Sequence, residues 1–270
     1  MGRDIAARLP RLLRAWSFPS VRVESELTDL GDRARVWRIH AGGRNHVAKL
    51  TFDAREFVEP GLLIAAALDR AGIRTGAPVP TGDGALSVSV RRGSWTLAVL
   101  EFVDGAPFDW AAPESGGDLL GRVHTILREA IEVPPAGGLL DFYATEADRV
   151  GGSSGAALAE ALAGIHEFDR LTGLSHGVLY GDPAPEVLRD ADTGELALID
   201  WGAPSRGPLL HDLVCWQRFA EQARPGEPGM ADRLLSGYLA QVPLTEAELA
   251  ATGLFGTLHK AIRACWEQDR

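Results

Sequence analysis

Apolar positions change their spacing several times along the chain, and each change predicts an element. Residues 4–15 carry Ile5, Leu9, Leu12 and Leu13 at helical spacing, with Pro10 as an interior kink. From Val21 the pattern becomes that of strands, at 21–23, 35–39 and 46–50. Turn residues at Leu30-Gly31-Asp32 and Ala41-Gly42-Gly43 separate them. Residues 59–70 predict a helix with Pro60 in its first turn, where a missing N–H costs little. A loop rich in Gly, Pro and Thr, 72–84, leads to two strands, 85–91 and 94–100, around Arg92-Gly93.

After Gly105 the pattern is mainly helical. Residues 112–118 read as a loop and 119–131 as an amphipathic helix; Pro134 to Gly138 break it. Residues 141–149 predict a helix, and Ser153 or Ser154 caps another that runs to about Leu171. His124 and His166 fall on apolar helical faces and read as packed core histidines. A loop at 203–208 precedes a helix from Leu209, and a further helix spans 231–240. Thr245-Glu246-Ala247-Glu248 is a capping box that opens a C-terminal helix.

The chemistry concentrates between Gly177 and Gly202. Two short apolar strands, Val178 to Tyr180 and Leu196 to Ile199, lead to Asp182 and Asp200. A Pro183-Ala184-Pro185-Glu186 turn, a short strand Val187-Leu188 and a polar turn, Asp190 to Gly194, lie between them. Such a hairpin predicts two carboxylates side by side at one end of a small sheet. Paired carboxylates repel unless a cation sits between them or one is protonated, which suits a divalent metal and a phosphate-bearing ligand.

This stretch resembles the catalytic core of the aminoglycoside phosphotransferase-like kinases, relatives of the protein kinases. Their H-G-D-x-x-x-x-N motif corresponds to Tyr180-Gly181-Asp182, Pro183 to Glu186 and Val187; their I-D-[WF]-G corresponds to Ile199-Asp200-Trp201-Gly202. The resemblance covers residues 22–216 by order of motifs. It implies an α+β, protein-kinase-like bilobal fold: an antiparallel-sheet N-lobe over 1–100, a hinge at 101–105, and a mainly helical C-lobe over 106–270.

The resemblance also implies roles. Asp182 is the catalytic base and Asp200 the magnesium ligand. Val187 stands in the slot of a metal-binding Asn and cannot ligate, so Glu186 is the candidate second ligand. Lys49 ends the strand Val47 to Leu50 in the slot that contacts the α- and β-phosphates. Glu59 is the candidate that pairs with Lys49 and orients it, with Glu56 as runner-up. Gly31 falls in the nucleotide-covering loop, and Glu101, Phe102 and Val103 form the hinge that meets adenine. Asp212 resembles the aspartate that accepts backbone hydrogen bonds from the catalytic loop. The implied cofactors are ATP and Mg2+, and the implied activity is transfer of the γ-phosphate to a hydroxyl of an aminoglycoside-like antibiotic, linking the chain to antibiotic resistance, or of a small metabolite. The alternative is a non-catalytic, nucleotide-binding pseudokinase with a regulatory role, favoured by the missing Asn.

Composition narrows the partners. A net charge of -10 over 270 residues argues against a nucleic-acid partner and is compatible with a cationic acceptor. Candidate acidic contacts are Glu221, Glu246, Glu267 and Asp269. No apolar run approaches a membrane span and the N-terminus lacks a signal-peptide core, so the expected location is cytoplasmic. Cys215 and Cys265 read as buried, reduced thiols.

Overall fold

The computed structural model describes residues 3–27, 33–129 and 137–268. Helix α1 (Arg3–Leu12) continues as a 3-10 turn (Leu13–Trp16) and buries Leu9, Leu13 and Trp16. Strands β1 (Val21–Glu26), β2 (Ala34–Ala41) and β3 (Arg44–Thr51) follow. Helix α2 (Arg55–Arg70) separates them from β4 (Val88–Val90) and β5 (Trp95–Glu101). All five strands pair antiparallel in the order β1-β2-β3-β5-β4.

The period of two along β3 decides which residues the sheet offers on each face. Ala48 and Leu50 turn inward and join Leu9, Leu13, Trp16, Trp37, Ile39, Leu97 and Val99 in one core. Val47 and Lys49 therefore project from the opposite face. The predicted strand 85–91 shortens to Val88–Val90, because a 3-10 turn with Arg92 at φ 59° follows it.

Helix α2 begins at Arg55, about one turn before the expected start. Ala54 enters it with extended backbone, and Glu56 in the first turn suits the positive helix end. Pro60 thus lies inside the helix, and Glu59 is not at its mouth.

Strand β6 (Gly105–Pro107) leads to helices α3 (Pro113–Glu129), α4 (Leu139–Val150) and α5 (Gly152–Thr172). Next come β7 (His176–Leu179), β8 (Val187–Asp190), β9 (Leu196–Leu198) and β10 (Ser205–Pro208). Helices α6 (Leu210–Ala223), α7 (Met230–Leu239), α8 (Glu246–Ala250) and α9 (Thr252–Gln268) complete the described chain. The Thr245 capping box forms in full, with both reciprocal hydrogen bonds. The helix α5 starts from Gly151 with no side-chain cap, so neither Ser153 nor Ser154 serves as one.

Two corrections concern segments expected to be loops. Residues 113–118 are the first turns of α3, with Pro113 at its start. Their glycines belong to helix packing: a Cβ on Gly117 would sit 2.0 Å from the Leu234 carbonyl oxygen, and one on Gly237 would sit 2.0 Å from that of Glu114. Helices α3 and α7 therefore touch backbone to backbone. Residues Ser205–Pro208, expected as loop, pair antiparallel with β7. His166, expected in the core, is exposed, whereas His124 is buried as expected.

The chain divides into two compact units, Met1–Ala106 with Leu188–Gly202, and Pro107–Val187 with Ala203–Arg270. The segment Leu188–Gly202, expected within the helical part, thus clusters with the sheet part. The Arg74 carbonyl accepts from Leu198 N–H at 3.0 Å, the Asp104 carbonyl accepts from Ala191 N–H at 3.3 Å, and Arg74 pairs with buried Asp190. No helix among the described residues is long and apolar enough to cross a membrane.

Candidate active site

In the first unit, a cavity of about 350 Å³ opens along the face of the sheet opposite its core. Leu27, Val36 and Val47 line it from the strands, and Leu188 and Ile199 from the inserted segment. Glu101, the last residue of β5, and Phe102 and Val103 just after it border the cavity as well. Val103 is buried, and the Phe102 ring carries the Arg38 guanidinium 4.6 Å from its centroid. Aliphatic walls and an adjoining extended chain suit a flat, largely apolar ring system.

Lys49 and Asp200 stand together at this cavity. The Lys49 ammonium donates to Asp200 Oδ1 at 2.5 Å. Two features fix Asp200. Its backbone is left-handed, φ 60°, a region that Asp tolerates better than most residues. The next residue, Trp201, is buried and donates its Nε1–H to the Leu198 carbonyl at 3.0 Å. The Asp200 side chain remains 47% exposed, so its carboxylate is available to a ligand.

Asp200 fits Mg2+ as a donor. It offers hard carboxylate oxygen, and among the described residues no group of three or more His, Cys, Asp or Glu gathers to form a closed metal cage. Magnesium bound by one or two carboxylates, with phosphate oxygens and water completing the shell, needs no such cage.

The expected Lys49–Glu59 pair does not form. Glu59 accepts from Arg55 Nε at 2.5 Å and from Ser87 Oγ at 3.3 Å. The reason is the helix phase. Val58, Gly61, Leu62 and Ala65 form the stripe of α2 that lines a small cavity beside Lys49, and Glu59 lies on the neighbouring stripe with Arg55, one turn earlier. Glu56 is exposed. Arg33, beside this cavity, pairs with Asp53 at 2.9 Å. Gly31 lies outside the described residues.

In the second unit, the Asp182 carboxylate is oriented by its own loop, accepting from Ala184 N–H at 2.8 Å. Tyr180, in the slot where the resembling kinases have His, is fully buried, and its hydroxyl accepts from Glu186 N–H at 3.3 Å. It pins the far end of the Pro-Ala-Pro turn. Gly181 adopts φ 80°, and a Cβ there would meet the Ala203 carbonyl oxygen at 2.1 Å. The Val187 side chain is buried, as a packing residue rather than a ligand, while Glu186 is exposed.

Asp212 anchors this loop from below. Its two oxygens accept from Tyr180 N–H at 2.7 Å and Gly181 N–H at 3.1 Å. It is fully buried between His124 and His211. Burial opposes its charge, but hydrogen bonds from the two histidines outweigh that and hold its carboxyl well below the usual range. Burial likewise opposes charge on His211, yet Cys215 and Asp212 beside it push it up to about 10. The family resemblance pointed to the role of Asp212; its two histidine partners, 88 residues away and adjacent in sequence, carried no comparable signal.

The same unit carries a groove of about 270 Å³ bordered by Pro183, Ala184, Phe219 and Trp266, with Arg263 and Glu267 on its edge. Of the candidate acidic contacts, Glu267 lines this groove, Glu221 pairs with Arg218 at 2.9 Å, Glu246 is exposed in the first turn of α8, and Asp269 lies outside the described residues. Cys215 and Cys265 are free and buried.

No protein-family model matches the sequence, and no curated protein sequence does. Solved structures match along the whole chain. An amicoumacin kinase in complex with AMP-PNP and Ca2+ superposes with a TM-score of 0.78 at 16% identity, covering 98% of this chain and 88% of its own. A microcompartment-associated aminopropanol kinase gives 0.73 at 18%, covering 97% and 88%. The choline kinase LicA from Streptococcus pneumoniae gives 0.65 at 13%, covering 99% and 90%. An aminoglycoside phosphotransferase from Alicyclobacillus acidocaldarius gives 0.65 at 14%, covering 94% and 84%, so the antiparallel sheet followed by a mainly helical part is the protein-kinase-like fold that this chain shares with these small-molecule kinases.

Proposed function

We propose that this protein is an ATP-dependent phosphotransferase that acts on a hydroxyl of a small molecule. The observation that carries the reading is the Lys49–Asp200 pair at an aliphatic cavity bordered by Glu101 to Val103. Aliphatic residues on two sides of the cavity hold the purine, and the segment from Glu101 to Val103 meets its edge. Lys49 would neutralise phosphate charge, and Asp200 would hold Mg2+. When bound, magnesium and ATP supply the transferable phosphoryl group and its counter-charge.

Asp182 orients the acceptor hydroxyl and takes its proton as the oxygen bonds to the γ-phosphorus and the bond to ADP breaks. Its hydrogen bond from Ala184 aims the carboxylate, as a general base requires. Lys49 is held by Asp200 itself, so the reading does not depend on Glu59. Amicoumacin, aminopropanol and choline kinases are named for acceptors of several chemistries, and fold does not choose among them.

The second reading, a nucleotide-binding pseudokinase, is favoured by the buried Val187 and by Glu59 engaged with Arg55. Thermal-shift titration with ATP, with and without Mg2+, followed by an ATP-consumption screen over antibiotic and metabolite alcohols, separates the two. An enzyme shows magnesium-dependent stabilisation, about 2.7 kcal/mol at one hundred times Kd, and turns over at least one alcohol. Stabilisation without phosphate transfer to any alcohol favours the pseudokinase, and no stabilisation at all removes both.

A further inference from the structure

Resting on the kinase reading above, we propose that the groove of the second unit selects an alcohol that carries one planar ring, rather than a polycationic sugar. The groove is tied to the chemistry through its wall: Ala184 lines it and donates its N–H to Asp182 at 2.8 Å. Pro183, which follows Asp182 in sequence, lines it as well.

Three properties of the lining define the occupant. Phe219 and Trp266 present aromatic surface, and Trp266 is 40% exposed on a helix whose other large apolar side chains are buried or half-buried. Exposed tryptophan bordering a concave surface fits stacking on a flat ring. The charges cancel: the Glu267 carboxylate has Arg263 3.7 Å away. A sugar bearing several ammonium groups needs several uncompensated carboxylates for electrostatic complementarity, and this lining supplies none beyond that pair. The volume of about 270 Å³ lies just under the usual range of ligand sites, about 300–1,000 Å³, so one ring with a short polar arm fills it. The acidic net charge of the chain is therefore not a charge of this groove.

The test is calorimetric binding to the full chain loaded with Mg2+ and AMP-PNP, using tryptophanol and tyrosinol as ring-bearing alcohols and kanamycin as the polycation. At least one ring-bearing alcohol binds tenfold or more tighter than kanamycin. Trp266→Ala weakens that binding at least tenfold, Trp266→Phe restores most of it, and Glu267→Gln changes it less than threefold. Tighter binding of kanamycin, no binding of either ring-bearing alcohol, or an unchanged affinity in Trp266→Ala overturns the assignment. The thermal shift with Mg2+ and AMP-PNP, read on the same samples, persists in all three variants; its absence in the unsubstituted chain overturns the kinase reading instead.

Discussion

Lys49 and Asp200 stand 151 positions apart in sequence and 2.5 Å apart between Nζ and Oδ1. The pair belongs wholly to the first unit, because the segment that carries Asp200 clusters with the sheet that carries Lys49. One residue arrives on a strand whose alternation turns it away from the core. The other is held in a left-handed turn beside a buried tryptophan.

Substitution separates the fold from the site here. Asp200→Asn keeps a side chain that tolerates φ 60°, so the melting temperature of the free protein stays within about 2 °C. The magnesium-dependent part of the ATP shift disappears, because the amide offers no charge to the cation. Lys49→Ala lowers kcat/KM about 100-fold or more, roughly 2.7 kcal/mol of transition-state stabilisation. Thermal shift and steady-state kinetics read both outcomes.

Asp182→Asn preserves the shape of the loop, since the amide oxygen still accepts from Ala184 N–H. On the proposed mechanism it removes only the proton acceptor. Turnover falls by about 100- to 10,000-fold, the range for losing a positioned general base, while the shift with Mg2+ and ATP is retained. Turnover within a factor of three of the unsubstituted enzyme would exclude Asp182 as the base.

The contact between α3 and α7 predicts a stability effect remote from the chemistry. Gly117→Ala places a methyl group 2.0 Å from the Leu234 carbonyl oxygen, and Gly237→Ala does the same at Glu114. The atoms met are backbone and cannot rotate away. Each substitution costs about 3 kcal/mol, lowering the melting temperature by roughly 6–12 °C. Differential scanning calorimetry measures this, and a fall under 2 °C in both variants would show that the helices separate freely.

The buried Asp212–His211 pair predicts how stability follows pH. The raised pKa of His211 means that the folded chain holds a proton the unfolded chain releases. That stability is complete below 6.5 and drains away as pH rises towards about 10. The lowered pKa of Asp212 acts in the opposite sense. Its contribution is complete above 3.8 and is lost as pH falls through the folded value. Melting temperature therefore declines between pH 6.5 and 10, and His211→Gln flattens that decline while lowering the melting temperature at pH 6, by about 2–4 °C for each kcal/mol lost.

Much of this architecture was legible from spacing over a few residues. The alternation at 35–39 and 46–50, the turn residues around Gly181 and Gly194, and the capping box at Thr245 are local signals that write strands, turns and a helix start directly. Because strand alternation also fixes which face a side chain takes, the exposure of Lys49 to the cavity followed from its position between Ala48 and Leu50. The order of Lys49, Asp182 and Asp200 was likewise readable, and it carried the resemblance that implied the fold.

What spacing could not decide depends on how elements meet. Glu59 missed Lys49 because α2 starts four residues earlier than its proline implied, and each residue turns a helix by about 100°. Gly117 read as a loop because nothing local says that another helix will press on it. The charge of Asp212 rests on His124 and His211, and the groove on Phe219 and Trp266; both arise only when distant helices pack. Local periodicity determined which residues form elements and which way strand side chains face, because those depend on bonds within the segment. Packing determined partners, burial and charge, because those depend on rigid elements whose rotation about their own axes is set by the neighbours they press against.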